Sequence, residues 1–273
     1  MIDPNRQSLS ILLGKIMMAL VLSALPAVAQ QQRPDTVTPS KDQSKTGDTN
    51  AGQKTQDDNK PVVPGTSNDR LFYTLPDFLT VQNAGKYPPL TSAEKFKVVA
   101  RGSFDYVEYV WFGALAGFSQ AENSEPGFGQ GAAGYGKRYG AAFADGTIEN
   151  FLTGAILPSL LRQDPRFYQS GTGTFWHRTG YAMSRIVVTR TDSGHEQFNF
   201  SEVIGSALSA GISTYSYHPH AGRTLSNTAS VWGTQIGYDT ITIVVKEFWP
   251  DIRRMISRKR QHDAATPQAS RQL

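Results

Sequence analysis

The chain contains no cysteine, which excludes disulfides, thiolate nucleophiles, thiolate zinc sites and a lipid anchor on Cys. Charge of one dominant sign is also missing. The 27 basic and 23 acidic residues leave a formal net charge of +4, a balance too mild to imply a nucleic-acid partner. Long apolar runs are scarce. Past the amino terminus, nothing reaches the roughly 18 uncharged apolar residues that mark a membrane-spanning helix. The longest runs, Tyr109 to Gln120 and Asn150 to Leu161, suit a buried core helix or an interfacial segment. Neither H-E-x-x-H nor G-x-S-x-G occurs, nor any other hydrolase signature.

At the amino terminus Arg6 and Lys15 precede an apolar run from Ile16 to Leu25, followed by Pro26 and Ala27-Val28-Ala29. A basic segment, a short apolar segment and an A-x-A site form a secretory signal peptide, so residues 1–29 are read as removed after Ala29. Residues 30–69 are Gln, Thr, Ser, Asp, Lys, Asn and Pro with almost nothing apolar. Such a segment cannot bury enough surface to offset the ordering of its backbone and is expected as a disordered tether. Residues 70–260 are left as one helical domain, and 261–273 as a disordered tail. This organisation points to an exported protein in the periplasm or on the periplasmic face of a membrane, with the outer membrane as the alternative.

Within the domain, Leu71 to Leu90 carries Pro76, Pro88 and Pro89 and reads as an extended lead-in. Thr91-x-x-Glu94 is a capping box at a helix start. From it Phe96, Ala100, Ser103, Val107, Val110 and Ala114 share one face, and Lys95, Arg101, Asp105 and Glu108 another, with a kink expected at Gly102. A second helix is expected from about Gly134 to Leu161, bent at Pro158, and a third from Thr174 to Thr191. Asn199-x-x-Glu202 or Ser201 caps a fourth, Tyr215 to Gly222 is a turn, and a fifth helix runs from about Thr224 to Phe248 until Pro250 interrupts it. The basic residues Arg253, Arg254, Arg258, Lys259 and Arg260 after Phe248-Trp249 suit an anionic membrane surface. Gly113/Gly117, Gly136/Gly140 and Gly233/Gly237 stand four residues apart, a spacing that lets helix backbones approach closely. The fold expected is therefore mainly α, a compact bundle of about five helices with glycine-mediated close packing. An outer-membrane β-barrel is the alternative, with Thr174 to Thr189 as a strand, but the long apolar runs do not alternate as barrel strands do.

Several motifs promise chemistry and fail on context. Gly129-Gln-Gly131-Ala-Ala-Gly134 fits G-x-G-x-x-G, and Gly131 to Lys137 fits the start of a phosphate-binding loop. Both require a preceding strand, whereas Glu122 to Phe128 is not one, and Arg138 replaces the magnesium-holding Ser or Thr. No nucleotide and no cofactor is expected. Asp192-Ser193-Gly194-His195 resembles the P-S-G-H element of phosphatidic-acid-phosphatase-type enzymes without its Pro and without their other motifs, and reads as a polar turn. His218-Pro219-His220 offers two imidazoles but no acidic or Cys partner at ligand spacing. No metal is expected there, only a surface turn.

The most suggestive polar set is distributed. Asp145 and Glu149 lie one turn apart on the second helix, and Arg162, Asp164 and Arg166 crowd its end. His177, Arg178, Arg185, Arg190 and Asp192 line or follow the third. If these helices are antiparallel neighbours, Arg162, Asp164, Arg166, His177, Arg178 and Asp192 form a candidate anion or lipid-headgroup site. A structural network is the competing reading, and no catalytic residue is assigned.

The blocks G-Y-G-K-R-Y-G-A-A-F-A-D-G, I-L-P-S-L-L-R-Q-D-P-R-F, F-W-H-R-T-G-Y-A, T-R-T-D-S-G, F-N-F-S-E and K-E-F-W-P-D-I resemble a group of exported bacterial proteins with no assigned activity, from roughly Leu71 to Ile256. The resemblance implies a shared fold and supplies no functional residue. The functional expectation is a cell-envelope protein, a non-enzymatic module that binds or scaffolds at a membrane surface or with envelope components. A hydrolase or transferase acting on lipid or phosphate esters through Asp164, Arg166, His177 and Asp192 is the alternative. Oligomeric state is left open.

Overall fold

Asp105 divides what reads as one helix into two. In the computed structural model, which describes residues 63–82 and 87–269 and side chains to residue 258, α1 (Ser92–Ser103) starts at the expected capping box. The Thr91 hydroxyl accepts from the Glu94 N–H, and the Glu94 carboxylate accepts from the Thr91 N–H. The chain turns at Phe104, and α2 (Tyr106–Ala121) begins afresh with Asp105 as its cap, accepting from the Val107 N–H at 3.2 Å. Arg70 holds the same carboxylate through both terminal nitrogens. The break therefore falls at a capped aspartate, not at Gly102.

α3 (Gly131–Phe151) continues through a π-helical turn, Leu152–Ile156, into a last turn, Leu157–Leu161. Pro158 has no N–H and its ring crowds the carbonyl four residues back. The helix meets this demand by widening: the Leu157 N–H bonds back to the Leu152 carbonyl, five residues away. Arg162 ends it in the left-handed region at φ 53°.

The third expected helix is only half a helix. α4 (Phe175–Ser184) is capped by Thr174, but the β-branched run after it enters a strand. We number the short strands β1 (Arg70–Leu71), β2 (Leu75–Pro76), β3 (Thr80–Gln82), β4 (Gln163–Asp164), β5 (Phe167–Gln169), β6 (Val188–Thr191) and β7 (Glu196–Phe198). They form an antiparallel β1–β2 pair, a parallel β3–β5 pair and an antiparallel β4–β6–β7 ladder. Asp192 to His195 is the β6–β7 hairpin turn, with Gly194 at φ 90°. Among the described residues these ladders close no barrel, and Phe175–Ser184 is helical, which corrects the barrel alternative.

α5 (Phe200–Ser216) starts at Asn199 as expected. α6 (Leu225–Ala269) then passes straight through Pro250 because the carbonyl that proline orphans finds another donor. Gln169 Nε2 donates to the Lys246 carbonyl at 2.6 Å, and Arg178 Nη2 to the Glu247 carbonyl at 2.7 Å. The fold is thus mainly α as expected, with six helices among the described residues.

The packed chain begins before residue 70. Val63 joins Phe78, Leu90 and Val98 in a buried apolar cluster with Leu79 against it, and Thr66 and Ser67 are hydrogen-bonded into the same corner. The helix also extends past 261. The signal peptide at 1–29, the tether up to residue 62 and the last four residues lie outside the described residues.

Glycines do allow close packing, but not the expected pairs. A Cβ on Gly146 would meet the Phe112 ring at 2.7 Å, one on Gly154 would meet Val99 at 2.8 Å, and one on Gly205 would meet Thr153 at 2.9 Å. Gly117, Gly136, Gly140, Gly233 and Gly237 face nothing within 4 Å, and Gly113 touches only tyrosine side chains.

Candidate functional site

The six residues expected to share an anion site fall into separate networks. Asp164 and Arg166 form one, beside the lead-in. Arg166 donates through Nε and Nη2 to Asp164 at 2.8–3.1 Å, and through Nη1 and Nη2 to the carbonyls of Gly65 and Pro88. Tyr168 donates to the same carboxylate at 2.7 Å, and burial beside it pushes the phenol well above its ordinary range. Asp192 belongs to a second network, paired with Lys95 at 2.8 Å. Arg178 belongs to a third, held by Glu247 at 2.8 Å and Asp251 at 2.6 Å. His177 is exposed on the first turn of α4, and Arg162 is exposed at the α3 terminus, its carbonyl accepting from the Asp192 N–H at 2.9 Å. The antiparallel meeting of the second and third expected helices does not occur, because strands β4 and β5 intervene.

Lys95, which shares the charged face with Arg101, Asp105 and Glu108, is buried. Its ammonium donates to the carbonyls of Pro158 and Gln163 at 3.2 and 2.8 Å as well as to Asp192, so it ties α1 to the end of α3 and to the hairpin. The glycine-rich loop is tied in a similar way. Arg138, buried, donates to the carbonyls of Gly129 and Glu125 at 2.5 and 2.8 Å. A side chain grips this loop by its carbonyls, whereas a phosphate-binding loop offers N–H groups.

The histidine turn is not a plain surface turn. His218 lies between two carboxylates, with Nδ1 2.9 Å from Glu125 and Nε2 3.2 Å from Asp145. Burial works against its charge, but the contacts with Asp145 and Glu125 overcome that and raise its pKa to about 10. Tyr217 donates to the other Asp145 oxygen at 2.6 Å, and its hydroxyl is pushed above its ordinary range by burial and by that carboxylate. Glu125 and Asp145 are remote from His218 in sequence, so ligand spacing along the chain could not reveal them. In front of this group opens a cavity of about 600 Å³, lined by Phe128, Lys137, His218, His220 and Arg223 together with glycine, alanine and proline. Gly127 has to be glycine for the loop to close on the turn, since a Cβ there would stand 2.5 Å from Pro219.

A further arrangement involves the whole bundle. On α5 the inward face carries Ser201, Ser206, Ser209, Ser213 and Thr214, all buried. The outward face carries Phe200, Ile204, Leu208, Ile212 and Tyr215, each 41–49% exposed. In water an amphipathic helix ordinarily turns its apolar stripe to the core; here the stripe faces out. Within the bundle, burial and the neighbouring Asp239 and Asp145 raise Glu149 to about 8. Burial raises Asp239 to about 6, and burial with Asp239 lifts Glu202 well above the carboxylate range. Glu149 and Glu202 each bury an oxygen without a hydrogen-bond partner. Among the described residues no group of His, Asp or Glu is arranged to hold a metal ion, and no helix is long and apolar enough to cross a membrane.

Comparison with protein-family models, curated proteins and solved structures finds no match for this chain.

Proposed function

We propose that this is an exported cell-envelope protein that works without catalysis, as a module bound to a membrane surface through its outer apolar faces. The observation that carries this reading is the inversion of α5: a serine-lined inner face and an outer stripe of five large apolar side chains. Other exposed apolar residues add to it, among them Val110, Leu160, Trp176 and Leu225, each more than 70% exposed. Contiguous apolar patches beyond a few hundred Å² mark protein or membrane contacts. Lipid is favoured as the occupant because the stripe holds no charge, while the net charge is positive and Arg254 and Arg258 are exposed on α6. Among the described residues no helix meets the length and hydropathy of a span, so the mode proposed is interfacial.

An envelope hydrolase or transferase would need Asp164, Arg166 and Asp192 available to a substrate. Their engagement with Arg166, Gly65, Pro88 and Lys95 favours structural roles instead. Vesicle flotation tests the reading. The purified chain is expected to float with phosphatidylglycerol vesicles, and Leu208→Asp with Ile212→Asp to abolish flotation while helicity is kept. A chain that stays in the dense fraction at low salt contradicts it.

A further inference from the structure

We infer that the cavity between the 125–131 loop, α3 and the 217–223 turn is a binding site for a phosphate monoester. The full cations that line it are Lys137 from α3 and Arg223 from the turn between α5 and α6, beside Tyr217, His218 and His220. No carboxylate lines it. The two nearby acids, Glu125 and Asp145, are engaged with the ring nitrogens of His218 and with Tyr217. Among the described residues Lys137 has no hydrogen-bond or ion-pair partner. Arg223 donates only to the backbone carbonyls of Ser216 and His218, at 3.2–3.4 Å, through Nε and Nη2, which leaves Nη1 for a ligand.

Two full cationic charges match a phosphate dianion, whereas a single carboxylate would compensate only one. A guanidinium fork and an ammonium are the usual partners of phosphate oxygens. Phe128, Ala141, Ala144 and Pro219 form an apolar wall beside the cations, suited to the carbon body of an ester. The volume, about 600 Å³, is that of a small-molecule site. This inference does not depend on the membrane reading, since the same group occurs in soluble organic phosphates and in phosphatidic acid.

The test is a titration of the ¹⁵N-histidine-labelled protein with glycerol 3-phosphate, with glycerol as control, followed by NMR at the imidazoles. A parallel flotation compares phosphatidic acid vesicles with phosphatidylcholine vesicles. Three variants accompany it: Lys137→Ala, Arg223→Ala and Gly140→Leu. Gly140 lines the cavity and faces open space, so leucine there fills the site without a clash and on a helix it favours. A saturable shift with glycerol 3-phosphate, weakened at least tenfold in each variant, supports the inference with a soluble ligand. Preference for phosphatidic acid over phosphatidylcholine, lost in the same variants without a soluble-ligand shift, supports it with a lipid headgroup as the source. Absence of both responses overturns it, and so does binding that all three variants leave unchanged. Equal flotation with both lipids supports the membrane reading and counts against a phosphate site.

Discussion

Two regions of this molecule bury acidic side chains and treat them in opposite ways. In the region built from the lead-in, β4, β5, α4 and the second half of α6, every buried acid is surrounded by donors. Asp164 takes Arg166, Tyr168 and the Arg166 backbone N–H. Glu247 takes Arg178 and the N–H groups of Ser170 and Gly171 at 2.8–3.0 Å. In the bundle of α2, α3, α5 and the first half of α6, the half-buried Glu108, Glu149, Glu202 and Asp239 have only Lys246 and Gln235 to offset desolvation and one another's charge, and all four are pushed toward the protonated form. Burial alone therefore does not set an acid's state; the donors around it do. Trp249 is fully buried in the first region under Phe72 and Tyr73, with ring centroids at 5.0 and 5.5 Å, whereas α5 in the second turns Ile204, Leu208 and Ile212 outward.

The contrast can be broken most strongly in the paired region. Asp164→Ala leaves the Arg166 guanidinium buried without its partner and releases the Gly65 and Pro88 segments it holds. A loss of about 3–5 kcal/mol is expected, read as a fall in urea midpoint and early proteolysis near residue 65.

Glycine substitutions come next. Gly146→Ala drives a methyl into Phe112 and should cost about 1–3 kcal/mol as overpacking. Gly140→Ala, in open space on the same helix, should instead stabilise by about 0.4–1 kcal/mol. Thermal unfolding of the two side by side checks both signs.

The acid cluster predicts a pH slope. The folded Glu149 carboxyl keeps its proton to about pH 8 and the unfolded one only to about 4.5, so between these values the native state binds the extra proton. The stability this group contributes is full below about pH 4.5 and is lost as pH rises through 8. Glu149→Gln, which mimics the protonated form, should leave stability nearly unchanged at the acid end and raise it above pH 8 by up to roughly 5 kcal/mol, the equivalent of that shift. A gain equal at both ends would show that the carboxyl is not shifted.

The smallest effect on folding belongs to the outer face. Leu208→Ser should move stability by no more than about 0.5 kcal/mol while reducing vesicle binding, since its side chain is 47% exposed.

What the sequence revealed follows from how local each cause is. The caps at Thr91/Glu94 and Asn199/Glu202 act within three residues, and both helices start where those residues stand. Asp105 also caps locally, yet its role was hidden because its face carried Lys95, Arg101 and Glu108 at helical spacing. Pro250 was read as a stop, correctly for an isolated helix; what lets α6 continue is Gln169, 77 residues away from Lys246. Lys95 is buried by acceptors 63 to 97 residues distant, and the polar wall around His218 is drawn from Glu125 and Asp145. Such long-range partners leave no periodic trace. The inversion of α5 does leave one, since Ser201, Ser209 and Ser213 alternate with Ile204, Leu208 and Ile212 at helical spacing, but the pattern alone does not say which face is inside.

The outward stripe of α5 is the central claim, and the absence of cysteine allows a clean test. Single cysteines at Leu208 and Ile212, with the exposed Lys97 on α1 as control, can each carry one nitroxide label. Spin-label accessibility to oxygen and to a water-soluble nickel chelate is then measured with and without anionic vesicles. The account predicts that vesicles raise oxygen accessibility and cut nickel accessibility at 208 and 212 but not at 97. Nickel accessibility that stays high at all three positions would contradict it.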